Sequence, residues 1–164
     1  MINVAASILI YKPPRQVFDF VSSTANDFEW QYGTLASGQI SAGQAAVGAS
    51  FRTIGHLMGR RLHRTFEVTE YETDSRFGFR SLSGPLESHT VYSLHASQGG
   101  TQIEVSTRAV AVVNALPVRE RDLKRHMQKE LKEDLAMLKS LLESHPEQEL
   151  SRSHQKSSTG EFGA

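Results

Sequence analysis

The chain contains no cysteine. That absence excludes disulfide bonds, thiol catalysis and cysteine-ligated metal sites together. It also lacks an excess of charge of either sign, with 18 Lys and Arg against 18 Asp and Glu. No global basic field therefore points to nucleic acid. No apolar run approaches the roughly 20 residues that a membrane-spanning helix needs. The opening Met1-Ile2-Asn3-Val4 lacks the basic stretch and long apolar run of a signal peptide. A cytoplasmic protein, with no nucleic-acid partner and no integral membrane association, is expected. Two further signatures are missing. Gly99-Gly100 leads into a strand-like segment rather than a helix, so it is no phosphate loop. Nor does a Gly-x-Ser-x-Gly elbow occur.

What is present is a long amphipathic segment at the end of 164 residues. From Asn114 to Ser144 the apolar stripe Leu123, Met127, Leu131, Leu135, Leu138 and Leu142 steps by four or three, as one buried helical face requires. At the other end, Ile2 to Tyr11 is rich in β-branched and apolar residues and reads as a strand. Pro13-Pro14 cannot continue a ladder but suits a first helical turn, so Pro14 to Ser22 is predicted as a short helix. A second short helix carrying Phe28 and Trp30 is expected within Thr24 to Tyr32. Between these ends lie about a hundred residues of short alternating segments, around Leu35–Ile40, Ala49–Leu57, Arg76–Leu82, Leu86–Ala96 and Thr101–Ala111. Ser83-Gly84-Pro85 and Gly99-Gly100 separate the later ones. Residues 1–144 are read as one domain. Residues 145–164, with almost no apolar residues, are read as a disordered tail that cannot bury enough to order itself.

Met58-Gly59 is a plausible two-residue hairpin turn. It sets Leu57 opposite Arg60, His56 opposite Arg61 and Gly55 opposite Leu62. Phe51, Thr53, Gly55, Leu57, Leu62, Arg64, Phe66 and Val68 then share one face, the inner one, because a period of two parts the apolar set from the charges. Arg52, His56, Arg61, His63 and Glu67 fall on the other.

The segment Ser7-Ile8-Leu9-Ile10-Tyr11-Lys12-Pro13-Pro14-Arg15-Gln16-Val17-Phe18-Asp19-Phe20-Val21 resembles the opening of START-like proteins of the polyketide cyclase/dehydrase group, in the SRPBCC superfamily. Val47-Gly48-Ala49-Ser50-Phe51-Arg52, Phe66-Glu67-Val68-Thr69-Glu70-Tyr71-Glu72 and Gly100-Thr101 follow in that group's order, and Leu135 to Glu143 is similar to its C-terminal helix. The resemblance covers residues 2 to 144. It implies an α+β helix-grip fold: a curved seven-stranded antiparallel sheet around a long C-terminal helix, with two short helices after the first strand. It also implies a hydrophobic cavity between sheet and helix, and no shared set of catalytic residues to carry over. No cofactor is expected.

The expected cavity lining is Phe51, Leu62, Arg64, Phe66, Phe77, Phe79, Tyr92, Ile103, Leu131, Leu135 and Leu138. Arg64 stands out, because an unpaired charge between Leu62 and Phe66 on an apolar face is costly. It is read as an anchor for a carboxylate or enolate. The alternatives are pairing with an internal Glu, snorkelling to the rim or a slipped register. Tyr92 and Tyr71 are either pocket phenols or packed rings. Trp30 and Phe28 are either a lid or core. His56, His63 and His89 carry no metal-motif spacing and lie near Arg52 and Arg61, so no metal is expected. His126 reads as a surface residue, and Arg119 to Arg125 as a solvated charged face.

Three functions remain open. The first is binding or transport of a small hydrophobic ligand, a lipid, polyketide or aromatic compound, in an internal cavity. The second is a polyketide cyclase/dehydrase-type enzyme acting on such a ligand, with Arg64 stabilising an enolate and Tyr92 or Tyr71 relaying a proton. The third is an interaction protein with a collapsed cavity, acting through its surface or as a homodimer.

Overall fold

The structure, a computed structural model, describes residues 1–112 and 115–144. Strand β1 spans Ile2–Ile10 and is followed by helices α1 (Pro14–Ser22) and α2 (Asp27–Trp30), with a 3-10 turn at Thr24–Asn26 between them. Six strands follow: β2 Thr34–Gln39, β3 Ser50–Leu57, β4 Arg60–Glu72, β5 Arg76–Ser81, β6 Leu86–Ser97 and β7 Gly100–Ala111. Helix α3, Glu120–Ser144, closes the order. All seven strands form one antiparallel sheet in the order β1-β7-β6-β5-β4-β3-β2. No helix among the described residues is long and apolar enough to cross a membrane.

Local chemistry places most of these boundaries. Pro14 opens α1, where its missing N–H is not needed. Met58 and Gly59 both take positive φ, 49° and 82°, the primed geometry that suits the twist of a tight hairpin. The inferred pairing of Leu57 with Arg60, His56 with Arg61 and Gly55 with Leu62 is the observed register. Gln98 and Gly99 make the equivalent turn between β6 and β7, so Gly100 belongs to the strand rather than the turn. A register shift between Val68 and Glu70 turns Tyr71 back toward the inner side.

Helix α3 starts at Glu120, not at Asn114, which lies outside the described residues. Pro117 sits in the irregular segment before it, where its ring blocks helical continuation. The expected tail, 145–164, also lies outside the described residues.

Helix α3 crosses the concave face and is tied to β1, whose outer edge has no strand neighbour among the described residues. Gln128 Nε2 donates to the Ala5 carbonyl at 2.8 Å, and Glu143 accepts the Tyr11 N–H at 2.9 Å. Lys139 Nζ donates to the Leu9 carbonyl and to Glu143. These contacts cap a strand edge that would otherwise invite pairing with another chain.

Two apolar clusters hold helix to sheet. The larger gathers Ile10, Val17, Phe18, Val21, Phe77, Leu94, Ile103, Leu135, Leu138 and Leu142 with neighbouring aromatic rings. The smaller gathers Ile2, Val4, Leu86, Ala109 and Leu123. Leu131 packs against both. The stretch between the clusters is not filled.

Candidate functional site

The gap between the clusters is a cavity of about 170 Å³. Its origin is visible along the strands. The inward column of β6 reads Leu94, Tyr92, Thr90, Ser88, Leu86, and the paired positions of β7 read Ile103, Val105, Thr107, Ala109. Large apolar side chains stand at the Leu94 end, and short polar ones take over at Thr90, Thr107 and Ser88. Thr53 does the same on β3, opposite Arg64 of β4. Short side chains beneath a rigid helix leave space that the backbone cannot collapse to fill. Met127 and Leu131 of α3 lie over that space, and Phe51, Phe66 and Phe79 form an aromatic wall with centroids 5.1 to 5.3 Å apart.

Helix α2 and the start of β2 supply a polar end. Asp27, Trp30, Gln31 and Thr34 border the cavity. Asp27 is 4% exposed and Trp30 2%. Asp27 Oδ1 and Trp30 Nε1 make no hydrogen bond among the described residues, an unusual state for buried polar atoms. Burial pushes the Asp27 carboxyl well above its usual range, because removal from water penalises the charged form. Tyr92 meets Trp30 edge-on at 6.0 Å. Its hydroxyl accepts a long 3.4 Å hydrogen bond from Gln31 Nε2, and Thr34 Oγ1 orients Gln31 by donating to its Oε1 at 2.9 Å. Burial pushes the Tyr92 hydroxyl up, and the charges of Asp27 and Asp134 push the same way.

The α3 wall adds two more acids. Asp134 is 8% exposed and accepts the Tyr32 N–H at 3.0 Å. Burial raises its carboxyl to about 7, the Tyr32 hydrogen bond opposes the shift, and Glu130 and Glu133 add to it. Glu130 pairs with His126 Nε2 at 2.8 Å. With Gly33 and His56 it borders both the cavity and an outer groove lined by Tyr32, Met58 and Lys129, so these three residues form the partition between the two. A Cβ on Gly33 would collide with Glu130 Oε1 and sit 3.0 Å from the His56 carbonyl oxygen. Any larger residue there would have to push the Glu130 carboxylate aside.

Arg64 borders the cavity and makes no hydrogen bond or ion pair among the described residues. Its guanidinium lies 5.1 Å from the centre of the Phe66 ring, a cation–π contact. Its stem packs where Gly84, at φ 109°, carries no side chain. Burial lowers its pKa, and Glu130 partly restores it.

Of the residues expected to line the cavity, Phe51, Arg64, Phe66, Phe79, Tyr92 and Leu131 border it. Phe77, Ile103, Leu135 and Leu138 do not. They are packed into the closed cluster, and Leu62 lies outside the wall as well. Tyr71 packs edge-on against Phe18 and Phe77 at 5.3 and 6.1 Å and is absent from the wall. Phe28 points away, 51% exposed, so only Trp30 of that pair meets the cavity. His126 is not simply a surface residue, being half-buried against Glu130. Sequence reasoning placed Thr53 on the inner face without counting it in the lining, and passed over Asp27, Thr90, Thr107, Glu130 and Asp134. Asp134 carried a legible signal, since it lies three residues after Leu131 and four before Leu138, on the buried stripe.

Residues 1–143 match the model of the family described as polyketide cyclase / dehydrase and lipid transport. The chain belongs to that family. No curated protein matches it closely enough to count as a relative. Among solved structures, a START superfamily protein from Mycobacterium smegmatis is similar at TM-score 0.75 and 11% identity, covering 87% of this chain and 98% of that one. TTHA0849 from Thermus thermophilus is similar at TM-score 0.74 and 15% identity, covering 85% of this chain and 96% of that one. BexL, a di-domain ARO/CYC of the BE-7585A biosynthetic pathway, gives TM-score 0.67 and 19% identity over 85% of this chain and 46% of its own. At such identities these likenesses establish the fold alone. That fold is the helix grip: seven antiparallel strands curved around one long helix. The family fold is one that binds hydrophobic ligands.

Proposed function

We propose that this chain binds a small, mostly apolar molecule of about one ring in the cavity between sheet and α3. The observation that carries the reading is the cavity itself, about 170 Å³ between two otherwise well-packed clusters. An apolar cavity of about 150 Å³ is enough for benzene. Drug-sized pockets run from about 300 Å³ upward, so an aromatic compound or a short fragment suits this space and a full lipid chain requires it to open. Phe51, Phe66, Phe79, Val105, Met127 and Leu131 supply apolar contact, which contributes about 25 cal/mol per Å² buried. The polar residues set orientation.

Native mass spectrometry of protein purified gently from its own host tests this reading. A reproducible extra mass of small-molecule size, lost on denaturation, is expected. A clean apo mass, with no thermal stabilisation by any one-ring compound, contradicts it.

Arg64 favours a second reading, turnover of such a ligand. A guanidinium in a cavity wall, without an ion pair among the described residues, is placed to hold a developing enolate. Arg64→Ala separates the two: in a carrier it weakens only acidic ligands, whereas in an enzyme turnover falls with binding retained.

A further inference from the structure

The polar end of the cavity narrows the ligand class, and the argument rests on the binding reading above. Three residues that border this end have hydrogen-bonding capacity unspent. Trp30 Nε1 is a pure donor without a partner among the described residues, and Asp27 Oδ1 is equally unpartnered. The two residues are three apart on α2, so their side chains share one helical face. Tyr92 supplies the third. Its oxygen already accepts from Gln31, which Thr34 holds in place, so its O–H hydrogen is free to donate. Burial favours the neutral form of Asp27, which can donate as well. The set therefore offers an excess of donors in a buried site.

We propose that the Asp27–Trp30–Tyr92 end of the cavity receives an uncharged carbonyl oxygen, selecting one-ring ketones and related carbonyl compounds over hydrocarbons of the same shape. A carbonyl oxygen has two lone pairs and no hydrogen, which complements donors from Trp30 and Tyr92. A carboxylate at this end would bring negative charge toward Asp134 and Glu130, and the cation that would attract it, Arg64, stands on β4 beside Phe66 rather than on α2. An ammonium ligand would require an ionised Asp27, which burial opposes.

Trp30 is the only tryptophan in the chain, so the indole N–H of the ¹⁵N-labelled protein is one assignable resonance. The test is titration with acetophenone and with ethylbenzene, which differ by a carbonyl in place of a methylene. The expected result is about tenfold or more tighter binding of acetophenone, the scale of one hydrogen bond. Its complex should also show the indole proton downfield of its position in the ethylbenzene complex. Tyr92→Phe and Asp27→Leu should each shrink the preference several-fold while ethylbenzene binding persists. Equal affinities with an unmoved indole resonance would overturn the carbonyl assignment and leave the binding reading standing. A loss shared equally by both compounds in the variants would also overturn it, marking these side chains as wall only. Binding of neither compound would overturn the carbonyl assignment, and a clean apo mass with no stabilisation by any one-ring compound would overturn the binding reading with it.

Discussion

The two ends of the helix–sheet interface are built from the same elements and do opposite things. At one end Phe18, Phe77, Ile103, Leu135, Leu138 and Leu142 are almost fully buried and interlock. At the other, β3 presents Thr53, β6 presents Ser88 and Thr90, β7 presents Thr107, and the same helix presents Glu130 and Asp134. The closed end holds α3 in place, and that rigidity lets the hollow end stay hollow. Tight apolar packing is concentrated in one half, and the polar lining in the other.

Substitutions sharpen this contrast in decreasing order of effect. Leu138→Ala, in the closed end, is expected to lose about 2–5 kcal/mol by urea unfolding, the cost of deleting a fully buried side chain that neighbours cannot replace.

Asp134→Asn reports the hollow end through pH. The Asp134 carboxyl ordinarily titrates near 3.8 and is raised to about 7 in the fold. Between those values the unfolded chain has released the proton while the native state keeps it, so stability falls as pH rises through that window. Asn keeps the acceptor for the Tyr32 N–H and removes the charge. The variant is expected to be more stable than the wild type at pH 8 by about 1–3 kcal/mol, with the gain vanishing near pH 4. A gain independent of pH would contradict this account.

Thr53→Leu fills the hollow end. Stability is expected to stay within about 1 kcal/mol of wild type, because the added methyl groups enter empty space, while binding of one-ring compounds is lost in calorimetry. Smallest of all, Glu67→Gln on the outer face removes an exposed 3.4 Å pair with Arg80 and should change stability by less than about 0.5 kcal/mol.

Much of the fold was legible in the sequence for physical reasons. The period of two along Phe51 to Val68 assigned faces. Met58-Gly59 set the register, and the stripe from Leu123 to Leu142 picked out the buried side of α3. The hollow was not legible from the same signals. Alternation says which face a residue occupies but not where along that face the helix stops touching the sheet. Phe77 and Leu138 were therefore expected in the cavity wall beside Phe79 and Leu131, although the structure packs them into the closed end. Asp27 was missed because an acid opening a short helix ordinarily sits in water. Its burial depends on the packing of α2 against α3, a contact remote in sequence.

The most direct test of the hollow end as a binding site is a ¹H–¹⁵N titration of wild type and Thr53→Leu with acetophenone. The account predicts saturable shifts in the wild type at Thr53, Thr90, Thr107, Leu131 and the Trp30 indole, little change at Ile103 and Leu138, and no saturable shifts in the filled variant. Shifts that are absent, centred on the closed end, or unchanged by Thr53→Leu would contradict it.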